Sequence, residues 1–154
     1  MNIWLLTHSE ETKKSSGTGK LIKDTLHNQC HVIEWARKQP NPELLALDPS
    51  NTAIVYLANP DSPTLGNKQI TDMQNIIILD GTWQQARKMY NHSAYLKNYP
   101  HYEILGEKSI YSKRRNQKAA GLCTAEVAIH LLEKVKHPKS ATLRDRFYAF
   151  NQSQ

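Results

Sequence analysis

Cysteine is scarce in this sequence, and long apolar runs are absent from it. The 154 residues contain two cysteines, Cys30 and Cys123, which lie far apart and form no Cys-x-x-Cys pattern. This spacing indicates neither a disulfide framework nor a zinc site, and we expect no bound metal. No stretch approaches the roughly 20 apolar residues that a membrane-spanning helix needs. Because the N-terminus also lacks the features of a signal peptide, we expect a cytoplasmic protein without membrane contacts.

No glycine-, serine- or proline-rich linker divides the chain, and it contains no internal repeat. A chain of this length can enclose one hydrophobic core, so we predict a single domain over residues 1–154. Twenty Lys and Arg against 14 Asp and Glu give a formal net charge of +6. This excess suits a polyanionic partner, although it is far below the charge density of a histone-like tail.

Short apolar runs alternate with segments of helical periodicity along the chain. The amphipathic segments that predict helices lie at residues 18–27, 43–47, 83 onward, 124–135 and 141–150. The runs that predict strands lie at residues 2–6, 30–35, 53–57, 76–79 and 102–105. Buried strands that alternate with helices predict an α/β fold with a helix-flanked, mostly parallel sheet.

The stretch at residues 76–89 contains the strongest functional signal, because an apolar run leads through polar turn residues directly into a helix. Four aliphatic residues precede Asp80 and predict a strand that is buried on both faces, with Asp80 at its carboxyl end. Ligands of open α/β sheets bind outside the carboxyl ends of the strands, beside helix N-termini. Taken alone, a helix cap at Asp80 or Thr82 and a core position for Trp83 would be the more ordinary interpretation.

Two loops are expected near this junction. Residues 58–63 follow a strand that ends at Leu57, and they face the same crevice if the two strands are parallel neighbours. Residues 106–121 form a long basic loop that includes Arg114 and Arg115. Loops of this length inside a compact domain are usually functional or disordered. Without further information, a solvated basic surface explains these arginines equally well.

The junction resembles the motif that defines the DTW-domain family. The family pattern Asp-x-Thr-Trp-x-x-Ala is present here as Asp80, Thr82, Trp83 and Ala86. Two further elements match in order and spacing, so that the resemblance covers about residues 3–135.

The early element resembles the family's His-Pro-x-Glu and Asn-Thr-Gly segments. It is present as His8 and Glu11 followed by residues 16–19, with Ser9 in place of proline and Gly17 in place of asparagine. The late element resembles the family's Arg-Arg and Leu-Ser-Thr-x-Glu-Ala segments. Its members are Arg114, Arg115 and residues 122–126, with Cys123 in place of serine.

The resemblance implies a fold and a reaction. The implied fold is SPOUT-like, with a C-terminal trefoil knot whose loops hold S-adenosylmethionine. The implied reaction transfers the 3-amino-3-carboxypropyl group of S-adenosylmethionine to a uridine in tRNA and releases methylthioadenosine. Such a displacement needs alignment and removal of the uridine N3 proton, for which one placed carboxylate is enough.

The resemblance also implies roles for individual residues. Asp80 is the candidate general base, or else it orients the amino group of the cofactor. Cys123 has no His or Asp beside it in the sequence, so we expect it to be a packing residue rather than a catalytic thiol. The residues expected to bind the cofactor are Leu57, Leu79, Thr82, Trp83, Leu122, Cys123 and Thr124. Those expected on the substrate side are His8, Glu11, Arg114 and Arg115, where the arginines bind RNA phosphate or the cofactor carboxylate.

Two other functions remain open at this point. Other SPOUT-like proteins transfer the methyl group of the same cofactor to RNA and release S-adenosylhomocysteine. A non-catalytic RNA-binding module would keep the basic loop without needing Asp80. The sequence leaves open whether the RNA is tRNA or another RNA, and which oligomeric state the protein adopts.

Overall fold

The structure, a computed structural model, describes residues 1–12, 17–112 and 121–153, without the side chain of Glu11. Five strands form one sheet in the order 2-1-4-3-5, and every neighbouring pair is parallel. They are β1 (Asn2–Thr7), β2 (Cys30–Glu34), β3 (Thr52–Val55), β4 (Asn75–Asp80) and β5 (His101–Tyr102). The helices are α1 (Ser9–Thr12), α2 (Gly19–Leu26), α3 (Pro42–Leu45), α4 (Trp83–Asn91), α5 (Thr124–Lys134) and α6 (Ser140–Gln152). The predicted helix-flanked parallel sheet is therefore confirmed, whereas the knot stays a prediction.

Helices cover both faces of the sheet, so the interior positions of the central strands β1 and β4 are apolar. Alternate side chains of β4 enter two separate cores, with Ile76 and Ile78 on one face and Ile77 and Leu79 on the other. The first core is closed by α2, α5 and α6. The second is closed by α3, α4 and the 3₁₀ turn Ala94–Asn98. This arrangement explains why β4 is one continuous aliphatic run in the sequence.

Two predicted strands are shorter than the apolar pattern suggested. β3 ends at Val55 instead of Leu57, and β5 comprises His101 and Tyr102 instead of residues 102–105. The two strands pair only at Ile54 with His101 and at Val55 with Tyr102. β5 is the edge strand, and beyond it Ile104 packs partly against the first core while Leu105 is 76 % exposed.

Two helical predictions also differ in extent. The loop predicted before Gly17 contains the single helical turn α1, and the last helix is longer than the predicted residues 141–150. No helix among the described residues is long and apolar enough to cross a membrane.

A buried histidine joins β5 to α4. The Nδ1 atom of His101 lies 2.8 Å from the carbonyl oxygen of Tyr99, and its Nε2 atom lies 2.6 Å from the hydroxyl of Tyr90. Because a carbonyl can only accept, Nδ1 carries the proton and Nε2 accepts from Tyr90. Burial lowers the pKa of His101 below its usual value of 6.5, and the Tyr99 carbonyl opposes this effect in part.

The lowered pKa of His101 predicts a loss of stability in mild acid. As the pH falls through about 6.5, the unfolded chain takes up a proton at this residue before the folded protein does, so the free energy of unfolding decreases. Burial lowers the pKa values of His130 and His137 as well, and these residues contribute to the same slope. The variant His101→Gln cannot take up a proton at this position. The slope of its free energy of unfolding against pH should therefore be smaller by at most about 1.4 kcal/mol per pH unit. Urea unfolding between pH 7 and pH 5 measures both slopes, and identical slopes would contradict the assignment.

Candidate active site

The candidate site lies at the carboxyl edge of the sheet, where β4 ends at Asp80. The side chain is 7 % exposed, and its Oδ1 atom accepts a 2.7 Å hydrogen bond from the Thr124 hydroxyl at the start of α5. The Oδ2 atom faces Gly19 at the start of α2, so closely that a Cβ atom there would lie 2.4 Å from it. The carboxylate thus lies between the first turns of two helices.

This position stabilises a buried negative charge. The N-terminus of an α-helix carries partial positive charge, and two such ends converge on Asp80. The Thr124 hydroxyl adds a direct hydrogen bond to the carboxylate. The charge of Asp80 also reaches Cys30, whose pKa is raised to about 12, mainly by burial, with Lys23 lowering it and Asp80 raising it.

A second residue of the defining motif caps the helix that follows. The hydroxyl of Thr82 accepts from the Gln85 N–H at 3.2 Å, and the Gln85 side chain accepts from the Thr82 N–H at 2.8 Å. This reciprocal pair satisfies two donors at the start of α4. Thr82, and not Asp80, is therefore the cap of α4.

The third residue of the motif does not pack in the core. Trp83 is the first residue of α4 and is 41 % exposed, so the interpretation of Trp83 as ordinary core is wrong. The guanidinium of Arg87, one turn further along the helix, lies 5.6 Å from the centre of the indole ring. An aromatic surface is therefore accessible close to Asp80 in sequence.

The start of α5 is joined to the early motif. Thr18 accepts from the Ala125 N–H at 2.9 Å. Cys123 is the N-cap residue of α5, and its sulfur accepts from the Glu126 N–H. The pKa of the Cys123 thiol is raised to about 12, mainly by burial and in part by the Glu126 carboxylate. A thiol that stays protonated is a poor nucleophile, which agrees with a structural role.

Glu126 is a site-supporting residue to which the sequence analysis gave no role. Its carboxylate accepts from the Cys123 N–H at 2.9 Å, from the Ile110 N–H at 2.9 Å and from the Ser109 hydroxyl at 2.5 Å. These bonds fix the segment before residue 113 onto α5. The available signal was the three-residue spacing from Cys123 to Glu126, which matches a capping box once cysteine is admitted as a cap.

His8 lies beside the motif, because its N–H donates to the Asp80 carbonyl at 3.0 Å. Its side chain, however, makes local contacts. Nδ1 accepts from the Glu10 N–H at 3.2 Å, and the ring stacks against Trp35 with a centroid distance of 6.2 Å. The side chains of Glu11, Arg114 and Arg115, which were expected on the substrate side, lie outside the described residues.

The expected cofactor-binding residues divide into two groups. Thr82, Cys123 and Thr124 lie around the Asp80 junction. Leu79 is buried in the core under α4, and its side chain points to the face opposite Asp80. Leu57 is 50 % exposed after β3.

Leu122 lies beside a groove between α5, α6 and residues 107–110, which has a volume of about 240 Å³. The groove also contains His130, Glu133 and Arg144. Arg144 and Glu133 form an ion pair with each other. The Nε2 atom of His130 forms a 3.1 Å hydrogen bond with the Tyr102 hydroxyl.

No group of three or more His, Cys, Asp or Glu side chains within residues 1–12, 17–112 and 121–153 is arranged to hold a metal ion.

Comparison with known proteins places these residues in a family. The sequence model of the DTW domain matches residues 1–154, which is the whole chain. The chain belongs to the DTW-domain family. This domain is associated with tRNA modification, and the family is consistent with a tRNA-modifying enzyme. No solved structure matches the chain.

The DTW motif therefore performs three separate tasks in this protein. Asp80 points toward α2 and α5, Thr82 caps α4, and Trp83 presents an exposed ring. These directions differ because the chain turns at Gly81, between the strand and the helix. A Cβ atom on Gly81 would lie 3.0 Å from both the Cβ and the Oε1 atoms of Gln85, so the turn is tightly packed.

The close approach of Gly19 to Asp80 predicts a sharp response to one added methyl group. In Gly19→Ala, the new Cβ atom must displace either α2 or the carboxylate, and such overpacking typically costs about 1–3 kcal/mol of stability. Gly121→Ala is the matched control, because a Cβ atom there meets nothing within 4 Å. Urea unfolding should show a loss for Gly19→Ala and little change for Gly121→Ala. Equal stabilities would show that α2 can move away from the carboxylate at little cost.

Proposed function

We propose that this DTW protein transfers the 3-amino-3-carboxypropyl group of S-adenosylmethionine to a uridine of tRNA. The observation that carries the proposal is the buried Asp80 carboxylate, which is held by Thr124 at the carboxyl edge of a parallel sheet between two helix starts. Open α/β sheets bind their ligands at this edge. The family's association with tRNA modification and the chain's net charge of +6 support RNA as the acceptor.

The side chains at this edge fit the chemistry of the donor. A carboxylate at Asp80 suits the cationic sulfonium and ammonium groups of the donor. S-adenosylmethionine supplies a methylene carbon activated by the sulfonium, and its sulfur departs as a neutral thioether that needs no acid. The carbon–sulfur bond breaks as the bond from the methylene carbon to uridine N3 forms, and the N3 proton passes to a base.

In this proposal, Asp80 is that base. The hydrogen bond from Thr124 to Oδ1 fixes the plane of the carboxylate, which a base needs in order to meet the proton of a bound uridine. Thr124 is accordingly a positioning residue. The other role left for Asp80 is to orient the amino group of the cofactor, and substitutions separate the two.

Two isosteric substitutions distinguish a base from a structural anchor. Asp80→Asn keeps an oxygen that accepts from Thr124 but cannot take up the N3 proton. We expect transfer to fall by about 10²–10⁴-fold, with folding and cofactor binding nearly unchanged. Thr124→Val removes the hydroxyl and keeps the carboxylate, so we expect a loss of about 1–3 kcal/mol in stability and a smaller loss of turnover. The measurements are methylthioadenosine release from tRNA and S-adenosylmethionine, and thermal unfolding.

The opposite pattern would contradict the assignment of Asp80. If Asp80→Asn stays active while Thr124→Val is inactive, the carboxylate serves only to hold α5. Weakened cofactor binding in Asp80→Asn would move Asp80 to the orienting role. Release of S-adenosylhomocysteine instead of methylthioadenosine would replace the proposed reaction with methyl transfer.

Cofactor binding without metal is a separate prediction. S-adenosylmethionine carries its own leaving group, so binding should need no metal ion. Isothermal titration calorimetry in the presence of a chelator should show a saturable binding heat. Methylthioadenosine titrated under the same conditions is the control for binding of the adenosine portion. Absence of binding at millimolar cofactor would exclude both the proposed transfer and methyl transfer.

A further inference from the structure

The segment that follows Asp80 carries charge of one sign. Residues 81–102 contain no Asp or Glu, whereas Arg87, Lys88 and Lys97 lie within them. The side chains of all three are exposed. A protein surface with cations and no interspersed acids attracts polyanions.

Trp83 adds an aromatic element to this surface. Of the three tryptophans, Trp4 is buried and Trp35 donates to the Ser93 hydroxyl at 2.8 Å, while Trp83 keeps 41 % of its surface exposed. The Arg87 guanidinium lies near its ring, at 5.6 Å from the centroid. A cation beside an exposed ring is the arrangement on which nucleobases stack in single-strand-binding proteins.

The segment is held rigidly. The cap formed by Thr82 and Gln85 fixes the start of α4. Near its other end, the Tyr90 ring stacks on Tyr56 at 4.0 Å, and its hydroxyl bonds the buried His101. The Lys97 ammonium lies 5.7 Å from the centre of the Tyr90 ring. The backbone that carries the exposed cations and the Trp83 ring is therefore held in place, which lowers the entropy cost when a ligand binds.

We propose that Trp83, Arg87, Lys88 and Lys97, together the α4 face, bind an unpaired segment of the substrate RNA. A base stacks on the indole ring of Trp83, and the three cations meet the flanking phosphates. That the polyanion is RNA rests on the proposed function. An unpaired segment is required because a base inside a duplex has no face to offer to an aromatic side chain. Since α4 begins three residues after Asp80, the α4 face would hold the nucleotides next to the reacting uridine.

The phosphate-binding role is tested with two charge-matched double variants. Lys88→Gln with Lys97→Gln removes two cations from the α4 face, and Lys134→Gln with Lys136→Gln removes two exposed cations from the end of α5. The logarithm of tRNA affinity is measured against the logarithm of salt concentration. For the Lys88 and Lys97 variant, we expect the magnitude of this slope to fall by roughly one for each phosphate that is no longer neutralised. The slope of the control variant should match that of the wild-type protein. Equal slopes in both variants would overturn the proposal.

The stacking interaction is tested with Trp83→Ala and Trp83→Phe. An RNA hairpin with a uridine-containing loop should bind Trp83→Ala roughly 5- to 150-fold more weakly, while phenylalanine should restore most of the affinity. The hairpin should also quench the tryptophan fluorescence of the wild-type protein, and a blunt duplex of equal length should not. Equal binding of both RNAs by all three proteins would overturn the stacking interaction.

These binding experiments use no turnover, so they separate the α4 face from the proposed reaction. Weaker RNA binding by the α4 variants without any methylthioadenosine release from the wild-type protein would support the α4 face and exclude the transferase. Normal transfer and normal salt dependence in those variants would support the transferase and exclude the α4 face. Two results together would assign the α4 face to a protein partner instead. The lysine variants would bind tRNA as the wild-type protein does, and a protein that competes with tRNA for the wild-type protein would not compete for the variants.

Discussion

The hydrogen bond from Thr124 to Asp80 is the interaction on which the site depends. It joins residues 44 positions apart and connects the end of the central strand to the start of α5. This bond offsets part of the cost of desolvating the buried carboxylate. The other helix that meets Asp80 must begin with glycine, because any side chain at position 19 would occupy the space of the carboxylate. The bond from Ala125 to Thr18 then ties the two helix starts together.

The end of β4 places different side chains on the two faces of the sheet. Side chains of a strand alternate, so Leu79 points into the core under α4 while Asp80 points toward α2 and α5. The chain then turns at Gly81 and begins α4 on the face of Leu79. The result is a charged site on one side of the turn and an exposed aromatic and basic helix on the other.

The sequence predicted the elements whose structure is determined locally. β1, β2, β4, α4 and α5 follow from strong periodicity, and Asp80 follows from its place after an apolar run. β3 and β5 were predicted too long, because the length of a ladder depends on the register of its partner and not on apolar content. The partners of Asp80 were not predictable from residue spacing, since Gly19 and Thr124 come from helices that meet only in the folded protein. Glu126 was missed for a similar reason, because Ser109 and Ile110 reach it from outside its own helix.

Two of the positions that depart from the family pattern, Ser9 and Cys123, lie where other atoms meet the same physical need. Ser9 begins α1, the position at which proline is also favoured, because the first N–H of a helix has no partner within the helix. Cys123 replaces a serine at a helix cap, where its sulfur accepts from the Glu126 N–H as a hydroxyl would. Sulfur is the weaker acceptor, but Glu126 completes the cap through the Cys123 N–H, and Thr18 accepts from the N–H of Ala125 two residues later. The start of α5, and with it the Thr124 hydroxyl, is therefore held by several bonds, so that a weaker cap at Cys123 leaves Asp80 in place.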